Sequence, residues 1–130
     1  MTRHPPARPV AALVRRLRAA LLREGECCER AHVVYIDRAR RYCGEATMGP
    51  GGSASLVLDP RTILANGFRL GAHGMILAHN HPSGDCRPSR ADLEATHRLV
   101  WVGRMVDLHV LDHLIVTPLA VYSMRQGGLL

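Results

Sequence analysis

Met75-Ile76-Leu77-Ala78-His79-Asn80-His81-Pro82-Ser83-Gly84 is an apolar run that ends on two histidines two residues apart. A short apolar stretch closed off by proline and glycine predicts a strand over Met75 to His79. Side chains alternate across a strand with period two, so the His79 and His81 imidazoles project to the same side. Asp92 follows eleven residues after His81, at the predicted start of a helix, where it can supply a third ligand. Two neutral nitrogens and one carboxylate oxygen leave the fourth position of a tetrahedral zinc site open to water. That donor set suits a catalytic metal better than a structural one.

The surrounding elements follow from the same reading. Ser89 caps a helix running from Arg90 to about Val102, and Gly103 closes it. Upstream, Gly71 to Gly74 turn into the histidine strand, and Asp59-Pro60 opens a helix that continues to Leu70. Gly49-Pro50-Gly51-Gly52 reads as a loop and Ser55 to Leu58 as a short strand. Ala31 to Ile36 is a β-rich run, and a turn at Asp37-Arg38-Ala39-Arg40 starts a hairpin return through Tyr42-Cys43. Val10, Leu13, Val14, Leu17 and Leu21 recur at helical spacing opposite arginines, and Gly25 fits the stop. Val106 to Val116 supplies one or two strands, and Val121 to Met124 a short one. Helices alternating with strands predict an α/β (α+β) fold, a mixed β-sheet flanked by helices. Residues 1–9 read as a proline-broken tail and residues 10–130 as a single domain.

Composition removes several function classes. With 47% apolar residues in 130, the chain can bury a real core and is not of the disordered class. No apolar run spans a bilayer, and Ala11 to Arg23 reads as an amphipathic helix of the domain rather than an organellar presequence. Cys27, Cys28, Cys43 and Cys86 show no CxxC spacing, which predicts reduced thiols and a cytoplasmic protein. Cys86 falls between the candidate ligands and reads as a bystander. The net charge is +6, yet all 17 basic residues are arginine. They are dispersed and have few aromatics beside them, so weak, nonspecific nucleic-acid affinity is the most that the charge implies.

Ser89-x-x-Asp92 also has a bland explanation as a capping box, and the two roles of Asp92 need not exclude each other. The letters His-Asn-His do not make an HNH nuclease, whose residues are spread over a ββα unit. A zinc deaminase would need His-x-Glu and Pro-Cys-x-x-Cys. Asp107, His109 and His113 share one face if Val106 to Val116 is a single strand, but His109 and His113 would then be about 13 Å apart. His4, His32, His73, His97, His109 and His113 therefore read as tail, surface or packing residues, with His73 and His32 lacking a ligand-spaced partner.

His79-x-His81-Pro82-Ser83-Gly84 followed by Pro88-Ser89-x-x-Asp92 resembles the JAMM signature of the JAB/MPN metalloproteases. It is most similar to the bacterial RadC branch, in which His-Asn-His-Pro-Ser-Gly is usual. Asp59-Pro60-Arg61, Leu111-Asp112-His113-Leu114-Ile115-Val116 and Gly128-Leu129-Leu130 match as well, and the resemblance covers about residues 10–130. It implies a cytidine-deaminase-like JAB1/MPN fold in which His79, His81 and Asp92 hold one zinc ion per chain. It also requires a glutamate at the entry to the first strand, and Glu29 matches. Glu24 and Glu26 lie further from the strand, Glu45 beyond its hairpin, and Glu94 turns away from Asp92. Ser89 matches the serine that supports the reacting carbonyl, with Asn80, Ser83 and Gly84 shaping the loop beside the metal. The helix-hairpin-helix region common in RadC proteins has no counterpart in this sequence.

The activity implied is zinc-assisted hydrolysis of a peptide or isopeptide bond in a protein or peptide substrate. Glu29 acts as general base and then acid, and Ser89 donates to the oxyanion. Two rival readings remain: a DNA-repair-associated accessory protein with salt-sensitive, sequence-blind binding, and a metal-binding module without catalysis.

Overall fold

In the computed structural model, described over residues 8–23, 28–50 and 58–130, the β-rich runs form one five-stranded sheet. Its strands are β1 (Ala31–Ile36), β2 (Tyr42–Met48), β3 (Gly74–Asn80), β4 (His109–Val116) and β5 (Val121–Ser123), in the spatial order β2-β1-β3-β4-β5. Neighbours are antiparallel except β3 and β4. Those two are parallel and joined through α3 (Arg90–Met105), the helical crossover that a parallel pair needs. The remaining helices are α1 (Arg8–Leu21) and α2 (Pro60–Arg69).

Period-two alternation assigns a helix to each face of the sheet. Val33, Tyr35, Met75 and Leu77 pack against Ile63 of α2 and Leu99 of α3. On the other side Val34, Ala78, Leu114 and Val116 pack against Leu17 and Leu21 of α1. The expected mixed sheet between helices is the fold observed. Among the described residues, no helix is long and apolar enough to cross a membrane.

Several boundaries differ from expectation, each for a local reason. The first helix begins at Arg8, two residues before Val10; residues 1–7 and Gly25 lie outside the described residues. β2 continues to Met48 because its pairing follows β1 along its length, from Tyr35↔Gly44 to Ala31↔Met48. Its polar residues Glu45 and Thr47 disguise it. They serve His32, whose Nε2 lies 2.8 Å from Glu45 Oε2 and whose Nδ1 lies 2.7 Å from Thr47 Oγ1. Of the predicted strand Ser55 to Leu58, residues 55–57 lie outside the described residues and Leu58 is not in a strand.

Gly103 does not close the third helix. The helix runs on to Met105, and the left-handed residue that ends it is Asp107, at φ 57°. Gly103 is instead a point of close approach, since a Cβ there would lie 2.2 Å from the Leu108 carbonyl oxygen. Backbone cannot give way as a flexible side chain can, so Gly103→Ala is expected to cost about 1–3 kcal/mol. A lowered urea midpoint at unchanged m-value checks this.

β4 carries a bulge, and it matters for the site. The register with β3 slips between Met75↔Val110 and Ile76↔Asp112, leaving Leu111 unpaired. Val110 packs on the α2–α3 side of the sheet, and His113, three residues on, reaches Thr96 of α3. The expected common face of His109 and His113 is therefore lost, because one extra residue inverts the alternation. Asp112 steadies the bulged segment by accepting from the His113 N–H at 2.7 Å and the Arg125 N–H at 3.1 Å.

Candidate metal centre

β3 delivers His79 at its end and His81 just beyond it, and the first turn of α3 delivers Asp92. His79 Nε2 lies 2.9 Å from His81 Nε2, His81 Nε2 lies 2.9 Å from Asp92 Oδ2, and His79 Nε2 lies 3.4 Å from Asp92 Oδ1. Ligand atoms on a tetrahedral zinc at ~2.0–2.1 Å stand about 3.3 Å from one another, so the three donors already converge at nearly that spacing. All three side chains are buried or nearly so.

Hydrogen bonds fix which nitrogens carry protons. The Thr96 hydroxyl donates to the Asp92 carbonyl at 2.7 Å, so it accepts from His113 Nδ1–H at 2.6 Å. His113 Nε2 then bears a lone pair and accepts from His79 Nδ1–H at 2.6 Å, which leaves a lone pair on His79 Nε2. On the other histidine, Nδ1–H donates to the Asp85 carbonyl at 2.6 Å, so His81 Nε2 is the free position. Two imidazole lone pairs thus face an ionised carboxylate. A proton on His81 meets that demand in part, while a divalent cation meets it for all three donors at once.

The charges follow the same geometry. Burial works to raise the Asp92 pKa, but the adjoining His79 and His81 rings and the Ser89 N–H prevail and hold it well below the usual carboxylate range. The Asp92 hydrogen bond raises His81 against the opposing effect of burial. His113 is pushed well down, by burial first and the neighbouring His79 second, and is neutral.

Glu29 sits in the segment leading into β1. Its pKa is raised by burial, with His79 opposing and Asp92 reinforcing the shift. Its Oε2 is buried without a hydrogen-bond partner, which is uncommon for a buried polar atom and points to a role toward a ligand. Asn80 holds this segment in place: its Oδ1 accepts from the Arg30 N–H at 2.6 Å and its Nδ2 donates to the Cys28 carbonyl at 3.1 Å. Asn80, expected to shape the loop beside the metal, therefore positions the glutamate from the strand side. The other glutamates are engaged elsewhere, Glu45 with Arg16 and His32 and Glu94 with Arg90. Glu24 and Glu26 lie outside the described residues.

Ser89 and Asp92 form the capping box at the start of α3. The Asp92 N–H donates to Ser89 Oγ at 3.0 Å and the Ser89 N–H donates to Asp92 Oδ2 at 2.8 Å. Asp92 thus serves the cap and the metal group at once. Ser83 and Gly84 act on His81 through the loop. Ser83 Oγ accepts from the Asp85 N–H at 3.3 Å, and Gly84, left-handed at φ 84°, donates its N–H to the His81 carbonyl at 3.0 Å. Cys86 contributes no atom to the ligand group.

Two histidines depart from their expected roles. His113 is not a packing residue alone, because it fixes the His79 tautomer; the bulge that aims it leaves no mark in sequence spacing. Second-sphere partners of this kind typically hold 10–100-fold of metal affinity. His113→Leu is accordingly expected to weaken zinc binding by about 10–100-fold while His113→Gln, which can still accept, recovers part of it; competition titration with a chelator reads both. His73 does have a partner, since its ring stands 4.9 Å from that of His109.

The mixed sheet and the His79–His81–Asp92 group define a JAB-type domain. The profile of the RadC-like JAB domain matches residues 8–129, and the chain belongs to that family. It is 40% identical over 102 residues to the UPF0758 protein STH371 of Symbiobacterium thermophilum, covering 78% of this chain and 44% of that protein. The UPF0758 protein YkfG of Escherichia coli K12 is 39% identical over 102 residues, 78% of this chain and 65% of its own length. YfjY of the same strain is 39% identical over 98 residues, 75% of this chain and 61% of its own length. The chain therefore spans from under half to about two thirds of these relatives.

Proposed function

We propose that this protein is a zinc-dependent hydrolase of peptide or isopeptide bonds. One observation carries the reading: His79 Nε2, His81 Nε2 and the Asp92 carboxylate converge, and Glu29, whose Oε2 is buried without a hydrogen-bond partner, lies close enough to interact with all three. His79, His81 and Asp92 would hold the ion, which when bound supplies an acidified water and a polarised substrate carbonyl. Glu29 takes a proton at its carboxylate and returns it to the leaving amine. The Ser89 hydroxyl spends one lone pair on the Asp92 N–H, so its own hydrogen remains to donate to the carbonyl oxygen. A cavity of about 310 Å³ opens beside His81 between Leu21, Leu22, Pro82 and Pro118, with Arg23 at its wall. Four apolar side chains beside Asn80, His81 and one cation suit an extended peptide segment that carries an acidic group.

Zinc content after purification tests the site. His81→Ala and Asp92→Ala are each expected to carry one equivalent less than the wild type and to lose hydrolysis of peptide and isopeptide substrates. Equal metal in all three proteins would sink the proposal. The rate should also fall as the pH drops through the pKa of Glu29, because the protonated acid cannot accept. Zinc content measured at each pH separates that acid limb of kcat/KM from loss of the metal.

A further inference from the structure

The other end of the same two strands carries a second group of metal donors. His73 stands just before β3, His109 opens β4, and Asp107 lies in the turn before it. His109 Nε2 is 2.8 Å and His73 Nδ1 3.5 Å from Asp107 Oδ1, and the three donor atoms all lie within 4.8 Å of one another. At ~3.3 Å per residue, the six residues from His73 to His79 place this group about 20 Å from the first.

We infer that His73, Asp107 and His109 form a second binding site for a divalent transition metal, separate from the candidate hydrolytic centre. Three features of the fold prepare it. The His109 N–H donates to the His73 carbonyl at 2.8 Å, and the His73 N–H to the Ile36 carbonyl at 2.8 Å, so the two histidine backbones are locked to each other and to β1. Asp107 is left-handed at φ 57°, and its Oδ1 lies within reach of both rings. Arg38 bonds Asp107 Oδ2, which leaves Oδ1 to the histidines. Its guanidinium can stay as the outer partner of a carboxylate that ligates through one oxygen. Two imidazoles and one carboxylate favour zinc, nickel, copper or cobalt over magnesium or calcium.

The setting separates this site from the first. The His73, Asp107 and His109 side chains are 32%, 54% and 39% exposed, and a cavity of about 310 Å³ lined by Asp37, Arg38, Arg40 and Leu111 opens onto the two histidines. A metal here would exchange with solvent more readily than one in the buried group. It would tie together the turns that start β3 and β4, stiffening the sheet at the end remote from Glu29.

The test is a zinc titration of untagged, metal-stripped protein against a chromophoric indicator. The wild type is compared with His109→Ala and Asp107→Asn, and circular dichroism checks the fold. Asn tolerates the left-handed backbone of position 107, so that variant keeps the turn while weakening the ligand. The wild type should bind one equivalent more than either variant, whatever the first site does. Equal stoichiometry in the wild type and a folded variant would overturn the inference. Repeating the titration on Asp92→Ala distinguishes the sites: loss of the buried group should leave the His109-dependent equivalent in place, and its disappearance there would also overturn it.

Discussion

Glu29→Gln is expected to lower turnover by about 10²–10⁴-fold, the usual worth of a positioned general base, while leaving bound zinc unchanged. Gln matches Glu in size and can occupy the same pocket, but it cannot take a proton. Glu29 is not among the three converging ligand atoms, so the metal count has no reason to move. Its position depends on the Asn80 side chain bonding on both sides of it, and Gln leaves that brace intact. Hydrolysis of a fluorogenic peptide or isopeptide panel, with zinc measured on the same samples, reads both quantities. A Gln variant with wild-type turnover would remove Glu29 from the chemistry, and one that lost zinc would make it a ligand.

Local signals in this chain show in the sequence, and long-range ones do not. His79 and His81 were legible because strand alternation puts residues two apart on one side, and β3 obeys it. Asp92 was legible because a helix start is written in local letters, and Ser89 does cap α3. Glu29 has no such signature: it lies in an irregular segment whose place is set by Asn80, about fifty residues away in sequence, and only the family resemblance pointed to it. The role of His113 is hidden because spacing assumes unbroken alternation, and the Leu111 bulge breaks it. The far half of β2 is hidden because Glu45 and Thr47 are polar, and their partners His32 and Arg16 are distant in sequence. The His73–Asp107–His109 group is beyond reach of spacing, since the parallel β3–β4 pair brings residues over thirty apart into contact.

Ser89→Ala should separate catalysis from architecture at the mouth of the site. Losing the cap leaves the Asp92 N–H without its acceptor, which costs about 0.5–2 kcal/mol of stability. The Ser89 backbone N–H that steadies Asp92 Oδ2 survives the change, so the ligand stays oriented and zinc content should hold. Losing an oxyanion donor costs more, about 10²–10³-fold in turnover. Two further substitutions divide these effects. Gly costs only a few tenths of a kcal/mol at an N-cap, so Ser89→Gly should stay nearly as stable as the wild type yet turn over as slowly as the Ala variant. Ser89→Thr keeps both the cap and a hydroxyl, and it should retain most of the rate. If Gly instead matched the wild type in kcat, Ser89 would be a cap and nothing more. The oxyanion would then need another donor, since the Gly84 and Asp85 N–H groups of the neighbouring turn are already given to the His81 carbonyl and to Ser83 Oγ.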